Sequence, residues 1–133
     1  MRVILFRGKA FSGNEWEYGV PVFCGLNNEL AFMKQMHSYD HQVIPETVGQ
    51  FTGLTDKNGK KIFEGDILRI TERGKTADGG IVVFENGYPG GWLITDKTYS
   101  SKCSLAMRND VEVIGNIHDN PELLGGEEDG NTV

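Results

Sequence analysis

The feature that most restricts this chain is the spacing of its turn residues. It carries 18 glycines in 133 residues, about twice the usual share. Glycine is used where the backbone needs a positive φ, or where another group approaches too closely for a side chain. Here the glycines and Asn-Gly pairs fall between short β-prone runs, roughly every ten residues, and no apolar stripe continues long enough for an extended helix. A chain punctuated in this way is built for short strands joined by tight turns.

The runs themselves read as follows. Val3, Ile4, Leu5 and Phe6 form a first strand. In EWEYGVPVFCG, Trp16, Tyr18, Val20 and Val22 share one parity, opposite Glu15, Glu17 and Gly19. That is the pattern of a strand with one face in the core, and Pro21 places it at an edge or a bend. Leu26-Asn27-Asn28 is a turn. The stretch ELAFMKQMH fits a helical stripe through Leu30, Met33 and Met36, with Asn28 as its cap. It also fits a strand returning against residues 16–24, and the strand is the reading taken here. Pro45 keeps Ile44 extended.

The segment FTGLTDKNGKKIFEGDILRI is the most informative. Gly53 precedes a hairpin signal at Asn58-Gly59, and Gly65 lets the chain turn a corner before Ile67, Leu68 and Ile70. TERGKTADGG reads as a polar loop, and Ile81–Glu85 as a buried strand. Asn86-Gly87 is a second hairpin signal before the strand Trp92–Asp96. In VEVIGNIH the alternation continues on either side of Gly115. Asn120 caps a helical turn with Pro121 at its first position. The expected fold is mostly β in one domain, residues 1–124. It comprises an N-terminal stretch of short strands (1–49), a small SH3-like barrel (50–119) and a helical turn (120–124), followed by a disordered acidic tail (125–133).

The net charge is −6, and Glu127, Glu128 and Asp129 of the tail account for three of the acids. An acidic chain lacks the usual footprint of a nucleic-acid binder, although net charge does not describe local patches. Cys24 and Cys103 belong to no metal or redox spacing and read as free, buried thiols of a reducing cytoplasm. The opening MRVILFRGKAF has too short an apolar run for a signal peptide, and no 18-residue apolar stretch occurs. A cytoplasmic location is therefore expected.

Three blocks also resemble a known family. TVGQFTGLTDKNGKKIFEGDIL is similar to the signature block of the YopX family, VIGNIHDNPELL to its C-terminal block, and FRGKAF with EWEYG to its N-terminal block. The resemblance implies a phage or prophage protein with an N-terminal β-meander (1–49) joined to a small barrel. It implies no activity and no catalytic residues.

The residues offer little chemistry of their own. Asp56, Asn58 and Gly59 have the wrong spacing for an EF-hand and read as a turn. Glu64 and Asp66 flank Gly65 and would share a strand face, as an acid–base pair or a solvated corner. His118 with Asp119, His37 and His41 fall short of a metal set. No nucleophile elbow or phosphate loop occurs. Neither a cofactor nor a metal is expected, and no enzyme activity. The most basic stretch, Arg69, Arg73 and Lys75, lies near Tyr88 and Trp92 in sequence, a combination that suits single-stranded nucleic acid on a small barrel. The leading expectation is a non-enzymatic module that binds a host or phage protein, or itself, through an exposed strand edge such as residues 16–24. Nucleic-acid binding is the alternative.

Overall fold

In the computed structural model, residues 4–35, 40–86, 90–98 and 101–124 are described. They form antiparallel strands linked by tight turns, with helical structure only as short 3-10 turns. The chain divides into two compact units, Met1–Gly53 and Leu54–Val133.

The first unit contains β1 (Phe6–Lys9), β2 (Trp16–Cys24), β3 (Leu30–Lys34), β4 (His41–Val43) and most of β5 (Gly49–Thr55). β1 to β4 form the expected meander, and β5 returns to pair with the open side of β1, giving the order β4-β3-β2-β1-β5. The first strand starts at Phe6, later than the β-prone run at Val3 suggests; Val3 itself lies outside the described residues. Residues 30–34 are a strand, as read. Pro21 marks no edge strand of the whole sheet, but its half of β2 carries a ladder on one side only. Residues Trp16–Gly19 pair with β1 and Val20–Cys24 with β3, so β2 lies between them. Each half of β2 has one ladder, and Pro21 stands just past the changeover, where a missing N–H is tolerated. Ala31, Met33 and Val43 are the buried core, with Phe6 and Val48 packed against them. A 3-10 turn at Pro45–Thr47 is tied to β1 through Thr47, whose Oγ1 accepts the Lys9 N–H at 2.8 Å and donates to the Ile44 carbonyl at 2.6 Å.

The second unit contains the end of β5, β6 (Lys61–Phe63), β7 (Asp66–Glu72), β8 (Lys75–Glu85), β9 (Gly91–Thr95), β10 (Lys102–Ser104) and β11 (Val111–Asn116). The last five make an antiparallel sheet of order β10-β9-β8-β7-β11. Its core is Ile62, Leu68, Val82, Ile94, Leu105 and Val111. This sheet is open, with β10 and β11 as its edges, and the expected SH3-like barrel is not what forms. A three-residue β10 that runs directly into the 3-10 turn Leu105–Met107 offers β11 no ladder on which to close. The polar stretch read as a loop at 71–80 is a hairpin. Arg73 (φ 54°) and Gly74 (φ 80°) make a two-residue turn between β7 and β8, the geometry whose twist matches paired strands. Pro121–Leu124 is the expected helical turn. Asn120 does not cap it by its side chain; the Asn120 Oδ1 accepts the Asn116 N–H at 3.2 Å. A Cβ on Gly115 would lie 2.6 Å from that oxygen, so a side chain there would displace the turn.

Asn58-Gly59 does mark a hairpin. Gly59 alone takes the positive φ (84°), and its N–H bonds the Asp56 carbonyl at 2.9 Å. The buried Asp56 carboxylate organises the turn. Oδ1 accepts the N–H groups of Asn58 (2.8 Å) and Lys60 (2.9 Å), and Oδ2 accepts that of Val113 in β11 (3.0 Å). Burial pushes the Asp56 pKa up, but hydrogen bonds from Val113, Lys60 and Asn58, with the Lys60 charge, outweigh it and hold the carboxyl below its usual range. A depressed folded-state pKa adds stability that is complete above the unfolded value, near ~4, and is lost as pH falls through the folded value. Asp56→Asn is therefore expected to cost about 1–3 kcal/mol at neutral pH. Urea denaturation of both proteins should show the difference shrinking once the pH drops below ~4.

Candidate functional site

Cross-strand partners in a sheet share a face, and successive residues on one strand alternate. Tyr18, Val20 and Val22 of β2 therefore lie together. Their partners on the same face are Arg7 opposite Tyr18, Lys34 opposite Val20 and Phe32 opposite Val22, with Leu30 opposite Cys24. The other face holds Pro21 beside Met33 and Phe23 beside Ala31.

The parity is the one read from sequence, but its direction is reversed. Tyr18 is 45% exposed, Val20 56% and Val22 39%, whereas Met33 and Ala31 are fully buried. The reason is space. A Cβ on Gly19 would stand 2.2 Å from the Lys34 carbonyl oxygen and 3.3 Å from Met33 Cγ. Gly19 leaves room on the inner side, and Met33 fills it from β3. The valines and Tyr18 are turned outward, and the exposed patch continues to Leu30 and to Leu26 at the hairpin tip. Cys24, expected to be buried, is exposed for the same reason: it sits at the far end of β2, past the core. Arg7 closes one side of the patch with its guanidinium 4.7 Å from the Trp16 ring centre, a cation–π contact. Contiguous exposed apolar surface of this kind marks an interaction site more often than a stability device.

The residues singled out in the second unit are not gathered into one site. Arg69 bonds both carboxylate oxygens of Asp78, at 2.8 and 3.1 Å, and lies 3.8 Å from Glu112. The hydrogen bond with Asp78 raises the Arg69 pKa, and the same bond lowers that of Asp78 despite some opposing burial. Arg73 and Lys75 stand at the β7–β8 turn. Trp92 packs against the core and meets Phe84 edge-on, ring centres 5.0 Å apart. Phe84 and Lys75 are nine positions apart on β8, about 30 Å at a strand's rise, so the tryptophan does not join the basic turn. Gly87 and Tyr88 lie outside the described residues, as does His37; the hairpin that Asn86-Gly87 predicts is present as β8 and β9.

The carboxylate pair also separates. Asp66 is buried and accepts the Phe63 N–H at 2.8 Å, while Glu64 is exposed, because the turn at Gly65 (φ 89°) interrupts the strand alternation between them. His118 and Asp119 donate their backbone N–H groups to Asn116 Oδ1, at 3.0 and 2.9 Å. His41 lies 3.9 Å from Glu17. Among the described residues no group of three or more His, Cys, Asp and Glu side chains is placed to hold a metal, and no helix is long and apolar enough to cross a membrane.

Comparison with known proteins gives a family and a fold. The family profile described as "YopX protein" matches residues 6–125. A solved structure, protein EF1440 from Enterococcus faecalis, is similar at 26% identity with a TM-score of 0.56, covering 94% of this chain and 100% of that one. No curated protein matches.

The reversed face has a direct test in stability. Met33→Ala is expected to cost about 2–5 kcal/mol. Val20→Ser should stay within about 0.5 kcal/mol of the parent, as read by chemical denaturation. A large loss for Val20→Ser would mean that its side chain is in the core.

Proposed function

We propose that this chain, which belongs to the YopX family, is a non-enzymatic interaction module that holds a partner protein on the outward face of β2 and β3. One observation carries the reading: Tyr18, Val20 and Val22 face solvent while Gly19 and Pro21 of the same strand face the core. Burying such side chains against a partner is favourable by about 25 cal/mol for each Å² of apolar area. The partner in this reading is a host or phage protein, or a second copy of the chain. The setting is the cytoplasm of a phage-carrying bacterium, where the exposed free Cys24 would stay reduced.

A second reading, single-stranded nucleic acid, is supported by a different feature of the same face. Lys9 and Lys34 lie on it near Trp16 and Tyr18, and cations beside aromatic rings suit stacked bases and phosphates.

The test is tagged capture from phage-infected cells with the parent chain and with Val22→Lys. One protein recovered at near-stoichiometric yield by the parent, and lost with Val22→Lys while the melting temperature is kept, is the expected result. Sedimentation of the purified chain checks self-association. Nuclease-sensitive material in place of protein would move the nucleic-acid reading to the front.

A further inference from the structure

Arg73 and Lys75 find a different setting from the one their sequence neighbours suggested. Lys75 and Ala77 alternate onto one face of β8, and Ala77 pairs with Ile70 of β7 on that face. A depression of about 510 Å³ lies there, with Arg73, Lys75 and Arg108 at its rim and Ile70 and Ala77 in its floor. A second, of about 280 Å³, shares Ile70, Ala77 and Arg108 with the first and continues over Gly80 and Ile94. Together they form an open groove beside the core. Gly80 belongs to its shape, since a Cβ there would stand 2.7 Å from Ile94 Cγ2.

The charges along the groove are unevenly placed. The acids that line it, Glu72, Asp78 and Asp96, equal the cations Arg73, Lys75 and Arg108 in number, but among the described residues Glu72 is the one acid in the depression at the turn. Glu72 is engaged by Arg108 at 3.3 Å, Asp78 by Arg69 at 2.8 Å, and Asp96 accepts the Thr98 hydroxyl at 2.9 Å. Arg73 and Lys75 have no ion-pair partner among the described residues. Positive charge is thus concentrated at the turn end of the groove, beside Ile70 and Ala77, on a chain whose net charge is −6. From Lys75 to Gly80 the strand runs about 16 Å, the length of a short extended peptide. Among the described residues no aromatic side chain lines either depression, so these residues offer bases no ring to stack on.

We propose that this groove receives an extended acidic segment of a partner protein. Its carboxylates meet Arg73 and Lys75, and its aliphatic side chains lie over Ile70, Ala77 and Ile94. The site is separate from the outward face of β2 and β3 and stands or falls without it.

The experiment selects short random peptides on the full chain, then measures the best binder by fluorescence anisotropy. The comparison proteins are Arg73→Asn/Lys75→Gln and Val22→Lys; asparagine is chosen at position 73 because it accepts the positive φ. Expected are selected sequences rich in Asp and Glu, binding weakened by added salt, and affinity at least about tenfold lower in the double variant. Val22→Lys should bind as the parent does. The proposal is overturned by selected peptides without acidic enrichment, or by equal binding in the double variant. Loss of binding in Val22→Lys, or tighter binding of oligothymidylate to the same two cations, would also overturn it.

Discussion

Three backbone N–H groups converge on the Asp56 carboxylate, and the second unit is arranged around that convergence. Two of the donors lie in the hairpin turn after β5, and the third is Val113, far along the chain in β11. A largely buried carboxylate accepting this many donors is a strong local tie, because each bond is charge-assisted. It brings together two segments that sequence distance keeps apart. Asp66 acts similarly on a smaller scale by closing the corner between β6 and β7 through the Phe63 N–H. Both acids looked like candidates for chemistry, and both are occupied in shaping the backbone.

Much of the architecture was legible because its signals are local. Asn58-Gly59 and Gly65 mark real turns, and Asn86-Gly87 falls between the paired strands β8 and β9. The strands β2 and β3 follow from alternation and spacing, whereas the meander as a whole was implied by the family resemblance. What was not legible depends on nonlocal competition. The parity of β2 was readable, but its direction depends on whether Met33 of β3 or Val20 of β2 fills the inner space. The smallness of Gly19 and the stiffness of Pro21 were the available signal. The β7–β8 hairpin was hidden because its turn is Arg73-Gly74 and its flanking residues are polar, so that neither the usual Asn-Gly pair nor an apolar alternation announced it. Barrel closure depends on the edge strands, and a β10 of three residues cannot be foreseen from the apolar pattern of its neighbours.

The same physics explains why sequence proximity misled the search for a site. A strand extends its residues by about 3.3 Å each, so near neighbours on β8 are carried to opposite ends of the sheet. Antiparallel pairing and side-chain alternation then create other neighbourhoods: Lys34 beside Val20, and Arg73 and Lys75 around the Ile70–Ala77 pair. An acidic chain can present basic margins because its acids lie elsewhere or are already paired. Two surfaces of different character result. One is broad and apolar, in the first unit; the other is narrow and cationic, in the second.

The placement of the aromatic residues has a spectroscopic consequence. The chain has two tryptophans, and the fold allots one to each unit: Trp16 beneath the Arg7 guanidinium in the first, Trp92 edge-on to Phe84 in the second. Each unit therefore carries its own intrinsic fluorophore in a distinct electronic environment. Replacing either indole by phenylalanine leaves emission that reports on a single unit. Whether the two halves melt as one cooperative body or in sequence becomes readable from the native chain without an attached dye.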